Sequence, residues 1–529
     1  MAKFGNAPTA AAKGYINTVT VKPDTQTHEG GQGWTRDPES ELFLLAVTNM
    51  CGEHTFYEKA GDRDQRFEDL IAQVAKTNPN WLARLVPFLR GTMNMRSASI
   101  VLAAETVAVL LAEGKNGAIH FPFGEKAPSN RNIIASAIQR ADEPAEMLGY
   151  WRSRHGRALP QPVKRGIADA AVRLYNERSF LKYGSGDGYR MADVIDITHP
   201  DPKADWQSKL FKFILDDRHD HATEDHGGDD YEPLAMIAAN RKAMALSSED
   251  FRKTLAGDPE FAEKAGLTWE VASSRYGKLD ADFWKAMVPN MGIFATVRNL
   301  RNMDDAEVDS ETAVEVLVKL EDPEIIGKSR MFPLRFYQAY KETAGLRWSR
   351  ALETALDLSV ANVPSLKGKT LILVDVSGSM KDLMSDRSKA QRWETAAIFG
   401  SALALRAEQA SLFDYGTDSR PIAVRKGGSV LRLLDEIKAH VGGGTWTMEV
   451  LADTYNRTKP DRVIILTDEQ AFYGVIPGID CPIFTFNLAG YKAAHLPSTG
   501  KHWTFGGLTD AGFTAIELLE KGSDQGFPF

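Results

Sequence analysis

The stretch Thr370-Leu-Ile-Leu-Val-Asp-Val-Ser-Gly-Ser379 decides the fold of the C-terminal part of this chain. Leu371 to Val374 are apolar without a break, so no face of the segment is left for water. That is the signature of a strand buried on both sides of a parallel sheet. Val463-Ile-Ile-Leu-Thr-Asp-Glu469 repeats the design, and Pro482-Ile-Phe-Thr-Phe-Asn-Leu488 is built alike. Between them Glu394 to Glu408, Leu431 to Ala439 and Met448 to Asn456 carry apolar residues at helical spacing. Buried strands alternating with helices predict an open, doubly wound α/β domain with a parallel sheet.

Ligands of such sheets bind outside the carboxyl ends of the strands. There the first strand runs into Asp375, Ser377 and Ser379, a D-x-S-x-S turn with Gly378 easing its path. One carboxylate and two hydroxyls on one turn are hard oxygen donors, which suit Mg2+. Gly442-Gly-Gly-Thr445 brings a further hydroxyl on a compliant backbone, and Asp468 closes its own strand. Each piece alone is an ordinary turn or loop, but the combination in these structural slots is specific. The chain has no G-x-S-x-G elbow, Walker loop or H-E-x-x-H motif, so no catalytic role is expected. His219, His221 and His226 stand among acidic residues and glycines and read as a solvated acidic loop.

Outward from this domain the texture changes. From about residue 35 to 365 the chain reads as helices, among them Ser40 to Met50, Ser97 to Leu111, Val163 to Tyr175, Ile293 to Met303 and Pro333 to Thr343. Short polar connections such as Thr77-Asn-Pro-Asn80 separate them, which suits an irregular, HEAT-like array of stacked helices. The expected organisation is an N-terminal arm (1–34), a helical-repeat module (35–365) and an α/β domain (366–529). With 43% hydrophobic and 25% charged residues, a wholly disordered chain is excluded. Two cysteines are too few for a disulfide framework, which favours a reducing interior. The greasiest stretch, Ile100 to Ala112, is interrupted by Glu105 and too short for a bilayer, so a soluble cytoplasmic protein without a membrane partner is expected. A net charge of −8 argues against indiscriminate coating of nucleic acid but leaves room for a local basic groove.

Such a groove has candidates. Trp151 to Lys182 holds Arg152, Arg154, Arg157, Lys164, Arg165, Arg173, Arg178 and Lys182 against only Asp169 and Glu177. A second basic stretch contains Arg335, Lys341 and Arg347. Trp151, Tyr175, Phe180, Phe332, Phe336 and Trp348 lie close by. Arginines beside stacking faces are the equipment for single-stranded RNA. A solvated helix face with its aromatics turned into the core has the same sequence signature.

Val163-Lys-Arg-Gly-Ile-Ala-Asp-Ala-Ala-Val-Arg-Leu-Tyr-Asn-Glu177 and Gly188-Tyr-Arg-Met-Ala-Asp-Val-Ile-Asp-Ile-Thr-His-Pro200 resemble the helical module of the Ro autoantigen (TROVE) family. The segments Phe283 to Met303 and Phe332 to Trp348 do so too. The α/β half resembles a von Willebrand factor A domain, which follows the helical module in Ro proteins. The resemblance implies a monomeric helical ring with a basic hole, completed by the A domain and related to bacterial or phage-borne members. It implies a non-enzymatic protein that binds small non-coding Y-type RNA and single-stranded ends of misfolded or defective RNA. RNA quality control with an exoribonuclease such as polynucleotide phosphorylase is the implied setting. Asp375, Ser377, Ser379, Thr445 and Asp468 carry over as ligands of a Mg2+ adhesion site, directly or through water. Arg157, Lys164, Arg165, Arg173, His199, Arg298 and Arg335 are the implied RNA contacts. Two departures stand out. Met191 occupies the position where eukaryotic members carry an RNA-contacting His, and Trp446 follows Thr445 where the family has an acid. The rival readings are a metal-dependent protein–protein adaptor and a metal-dependent hydrolase. The hydrolase is disfavoured because no general base stands beside the site.

Overall fold

Asn78 shows how the helical segments begin. Its side chain accepts a hydrogen bond from the amide of Trp81 at 3.3 Å, and Pro79 opens helix Pro79–Pro87 with a φ already suited to it. Such short capped turns join helix to helix through most of the chain. The computed structural model describes residues 25–26, 32–33, 37–48, 60–115, 128–184, 188–218, 234–258, 260–343, 345–384, 389–468, 479, 481–488, 502–505, 508, 511–521 and 529. They fall into two compact units, residues 71–319 and residues 1–70 together with 320–529.

The unit 71–319 is helical throughout its described residues. Helices expected from spacing are present, including Ser97–Ala112, Gln161–Leu174 and Ile293–Asp305. Shorter ones, Asn130–Ala137, Met191–Thr198 and Trp269–Tyr276 among them, had too few turns for their period to stand out. Glu143, fully buried at the start of helix Glu143–His155, takes Arg90 Nη2 at 2.7 Å and the amides of Gln139 and Arg140 at 2.6 and 3.0 Å. A buried carboxylate is tolerated when it is paired and hydrogen-bonded in this way.

Gly166 sits mid-helix for a packing reason. A Cβ there would lie 2.7 Å from the carbonyl oxygen of Arg131 and 2.8 Å from Ile134 Cβ. Helix Gln161–Leu174 therefore meets helix Asn130–Ala137 backbone against backbone. Gly166→Ala is expected to lower stability by up to about 2 kcal/mol in urea denaturation. The overpacking cost of about 1–3 kcal/mol outweighs the roughly 1 kcal/mol gained in helix propensity. A variant as stable as the parent would show that the two helices can separate at little cost.

In the other unit, β1 (Thr25–Gln26) and β2 (Gln32–Gly33) form a small antiparallel pair. The main sheet comprises β3 (Lys369–Asp375), β4 (Gln409–Tyr415), β5 (Ser419–Ile422), β6 (Arg462–Thr467), β7 (Ile483–Asn487) and β8 (His502–Phe505). The order across it is β5-β4-β3-β6-β7-β8. All pairings in this sheet are parallel except β4 with β5, an antiparallel edge on the expected parallel sheet. Pro421 in β5 is compatible with this position, since an edge strand tolerates a missing amide donor.

Helices cover both faces. Phe399 of helix Arg392–Arg406 and Phe513 of helix Ala511–Lys521 stack at 3.9 Å over β7 residue Phe486. On the other face Met448, Val450 and Leu451 of helix Thr447–Thr458 join Leu371, Leu373, Val463 and Ile465 in one buried cluster. Helix Pro333–Glu342 is bound to the same unit: Tyr337 and Lys341 both donate to Glu394, at 2.7 Å each. The two-faced α/β domain after a helical array is thus the observed architecture.

Candidate functional site

The strand order reverses direction between β3 and β6, and Asp375 and Asp468 stand at that switch. Crevices form there because the helices connecting the two strands leave to opposite faces. Both carboxylates are completely buried, as are Ser377 and Thr445, whereas Ser379 is half-buried and Gly378 exposed. The mouth of the site therefore opens at Gly378 and Ser379.

The local geometry gathers oxygen atoms. Asp375 accepts from the Ser377 amide at 2.8 Å through one oxygen and from the Thr467 hydroxyl at 2.6 Å through the other. The hydroxyls of Ser377 and Ser379 lie 3.3 Å apart. The glycine loop is clipped to the turn by two backbone bonds, Gly442 N to Val376 O at 2.7 Å and Gly378 N to Gly443 O at 3.0 Å. Gly442 and Gly443 have φ of 141° and 92°, in the region that favours glycine, which lets the loop turn Thr445 inward. Burial, and after it the negative charge of Asp468, pushes Asp375 above the usual carboxylate range. A buried carboxylate whose proton is favoured by a second negative charge beside it is equally suited to a cation. The donor set of two carboxylates and three hydroxyls fits a small hard ion.

Arg392 was not singled out from the sequence. It is buried in the first turn of helix Arg392–Arg406, with Nη1 3.3 Å from Asp468 Oδ2. Nothing local marks it, because its partner is 76 positions away. Trp446, next to Thr445, is 47% exposed, as is Leu383.

The basic candidates occupy different settings. Arg157 and Arg165 are exposed and Lys164 half-buried, and none of the three makes an ion pair among the described residues. Arg173 donates to the carbonyls of Ala135 and Ile138, so it caps the end of helix Asn130–Ala137. His199 is exposed in the left-handed conformation, φ 49°, closing helix Met191–Thr198, which packs on helix Gln161–Leu174. Arg298 is exposed and lies over the Trp269 ring. Arg335 is exposed in the other unit.

The aromatic residues beside these stretches do not form a stacking platform. Trp151, Tyr175, Phe336 and Trp348 are buried, Phe180 packs edge-on against Phe213, and Phe332 stacks on Phe513. Met191 is buried as well, so that position presents nothing to a ligand. The histidine loop, with His219, His221 and His226, lies outside the described residues. No helix among the described residues is long and apolar enough to cross a membrane.

Residues 263–347 match the family model of the TROVE domain. That segment is similar to a TROVE domain. The crystal structure of Deinococcus radiodurans RO (RSR) protein superposes with a TM-score of 0.63, covering 91% of this chain and 99% of that one at 16% identity. A curated relative, RNA-binding protein RO60 of Deinococcus radiodurans, is 22% identical over 476 residues, 85% of this chain and 84% of its own. The TROVE match includes Phe283 to Met303 and nearly all of Phe332 to Trp348, whereas the segments starting at Val163 and Gly188 fall outside it.

Proposed function

We propose that this TROVE chain is a non-enzymatic RNA-binding protein that takes small non-coding RNA of the Y type and single-stranded ends of defective RNA. The observation that carries the reading is the TROVE match at residues 263–347 within a chain of Ro fold. The relative named as RNA-binding supports it. So do Arg157, Lys164 and Arg165, which make no ion pair among the described residues. They contact phosphates together with Arg298 and His199 of the same unit, and Arg335 of the other unit is a separate RNA contact. Arg173 adds charge while holding its helix. The protein works as a cytoplasmic monomer in RNA quality control and hands its RNA to an exoribonuclease such as polynucleotide phosphorylase.

The A domain holds Mg2+ through Asp375, Ser377, Ser379, Thr445 and Asp468, and it serves as a metal-dependent contact. One observation favours a further adaptor role for this site: Trp446, next to Thr445, is exposed and offers apolar surface to a protein partner. A steep salt dependence of RNA binding with no metal requirement would separate the two activities.

The test is competition at fixed salt between a hairpin with a single-stranded 3′ tail and the same hairpin blunt-ended. The tailed form is expected to bind several-fold tighter, because A-form duplex hides its base edges while a free end is flexible and open. With the nearby aromatics in the core, the preference comes from phosphates and strand flexibility and not from stacking. Equal affinities would remove strand ends from the proposal and leave duplex electrostatics alone.

A further inference from the structure

We propose that Arg392 is the built-in counter-ion of the metal site. It supplies positive charge to the buried Asp375–Asp468 pair in the metal-free chain, and an entering divalent ion has to compete with it for Asp468. The inference rests on the metal-site reading above and adds a residue that the reading does not use.

The geometry points to this role from three sides. First, Arg392 and Asp468 are both sealed from water, at 1% and 0% exposure, and stand 3.3 Å apart. Two buried carboxylates in one crevice need a compensating charge, and a guanidinium cannot shed its proton to escape burial. Second, the backbone that carries Arg392 is held in place. Its amide donates to Asp382 O at 2.9 Å, and the Gln391 amide donates to Glu394 Oε2 at 2.8 Å. Glu394 is in turn gripped by Tyr337 and Lys341. The side chain thus enters the crevice from a fixed helix start. Third, the same Nη1 lies 3.6 Å from Asp382 Oδ2, a carboxylate that is half exposed. When a divalent ion claims Asp468, half-exposed Asp382 stays within reach and keeps part of the guanidinium's compensation, less than the buried Asp468 gives.

The sequence logic is consistent with this arrangement. The D-x-S-x-S turn, the glycine loop and the strand-end Asp468 place the donors, and none of them neutralises a second buried carboxylate. Arg392 does so from the helix that follows the turn. A site built this way stays assembled without metal, and its affinity for a cation is set by the guanidinium as much as by the oxygens.

The experiment uses the full chain and Mn2+ as the probe, with free Mn2+ read by electron paramagnetic resonance. Arg392→Met is expected to bind Mn2+ at least about tenfold tighter, because the dication no longer meets a guanidinium at close range. In chelator the same variant should melt lower, and Mn2+ should restore its Tm. Mn2+ binding no tighter than in the parent, whether the parent binds measurably or not at all, would overturn the proposal. Asp468→Asn, melted in chelator, provides an independent reading. If Arg392 is the counter-ion, this change strands a buried guanidinium and lowers Tm. If it is not, losing one of two repelling carboxylates raises Tm, and that outcome also sinks the idea. Asp375→Ala run in parallel isolates the underlying reading: unchanged Mn2+ affinity there would dismiss the metal site itself, while the two Tm signs still judge Arg392.

Discussion

Replacing Asp375 by Ala is expected to abolish measurable Mg2+ or Mn2+ binding while leaving RNA affinity unchanged. Of the five candidate donors only Asp375 and Asp468 carry charge, and carboxylates provide most of the attraction for a hard cation. Asp375 is the better placed of the two. It is buried at the end of β3, with one oxygen fixed by the Ser377 amide and the other by the Thr467 hydroxyl. Asp468 already shares its charge with Arg392. The alanine variant removes a carboxylate that burial and Asp468 disfavour in its ionised form, so the metal-free domain should remain folded. RNA binding should persist because Arg157, Lys164, Arg165, Arg173, His199 and Arg298 belong to the helical unit and Arg335 alone lies in the unit that holds Asp375. The check is Mn2+ titration beside RNA anisotropy on the same preparation, with a melting curve to confirm folding. Retained metal affinity in the variant would place the ion elsewhere.

The double substitution Lys164→Ala with Arg165→Ala is expected to weaken RNA binding and flatten its salt dependence. Each phosphate contact releases condensed counter-ions, and losing two should reduce the log–log slope by about 1.4 for single-stranded RNA and about 1.8 for a duplex. The pair lies in the first turn of helix Gln161–Leu174, with Arg165 exposed and Lys164 half-buried, and neither is engaged by an acidic neighbour among the described residues. Asp169, one turn on, is occupied by Arg131 through 2.5 and 2.6 Å bonds and does not neutralise them. Stability should hardly change, because neither side chain fills the core. An unchanged slope across a salt series would make both residues ordinary solvated cations.

Much of the α/β domain was legible because buried strands announce themselves locally. Leu371 to Val374 and Val463 to Leu466 are runs without a polar residue, Ile483 to Phe486 is broken only by Thr485, and each lies in a strand of the sheet. β4 was missed because Gln409-Ala-Ser-Leu-Phe-Asp-Tyr415 mixes polar and apolar residues beside the edge strand. β5 was missed because it is four residues long and contains Pro421, and β8 because His502-Trp-Thr-Phe505 is too short for a period. The long helices were legible for the opposite reason, since three or more turns repeat the apolar spacing often enough to be seen.

What the sequence determined by itself is therefore local. Asp375, Ser377 and Ser379 share one turn whatever the rest of the chain does, and the glycines before Thr445 permit its loop wherever that loop lies. Only the tertiary structure decided which distant groups meet. It clipped the loop that carries Thr445 to the turn after β3, brought Asp468 beside Asp375 and set Arg392 against a carboxylate 76 positions away. It also turned Trp151, Tyr175, Phe336 and Trp348 into the core, although basic neighbours made them candidates for stacking on RNA. The physical reason is the same in each case. Periodicity says that a side chain has an inward or outward face, but burial and charge compensation are properties of neighbours that chain order does not supply.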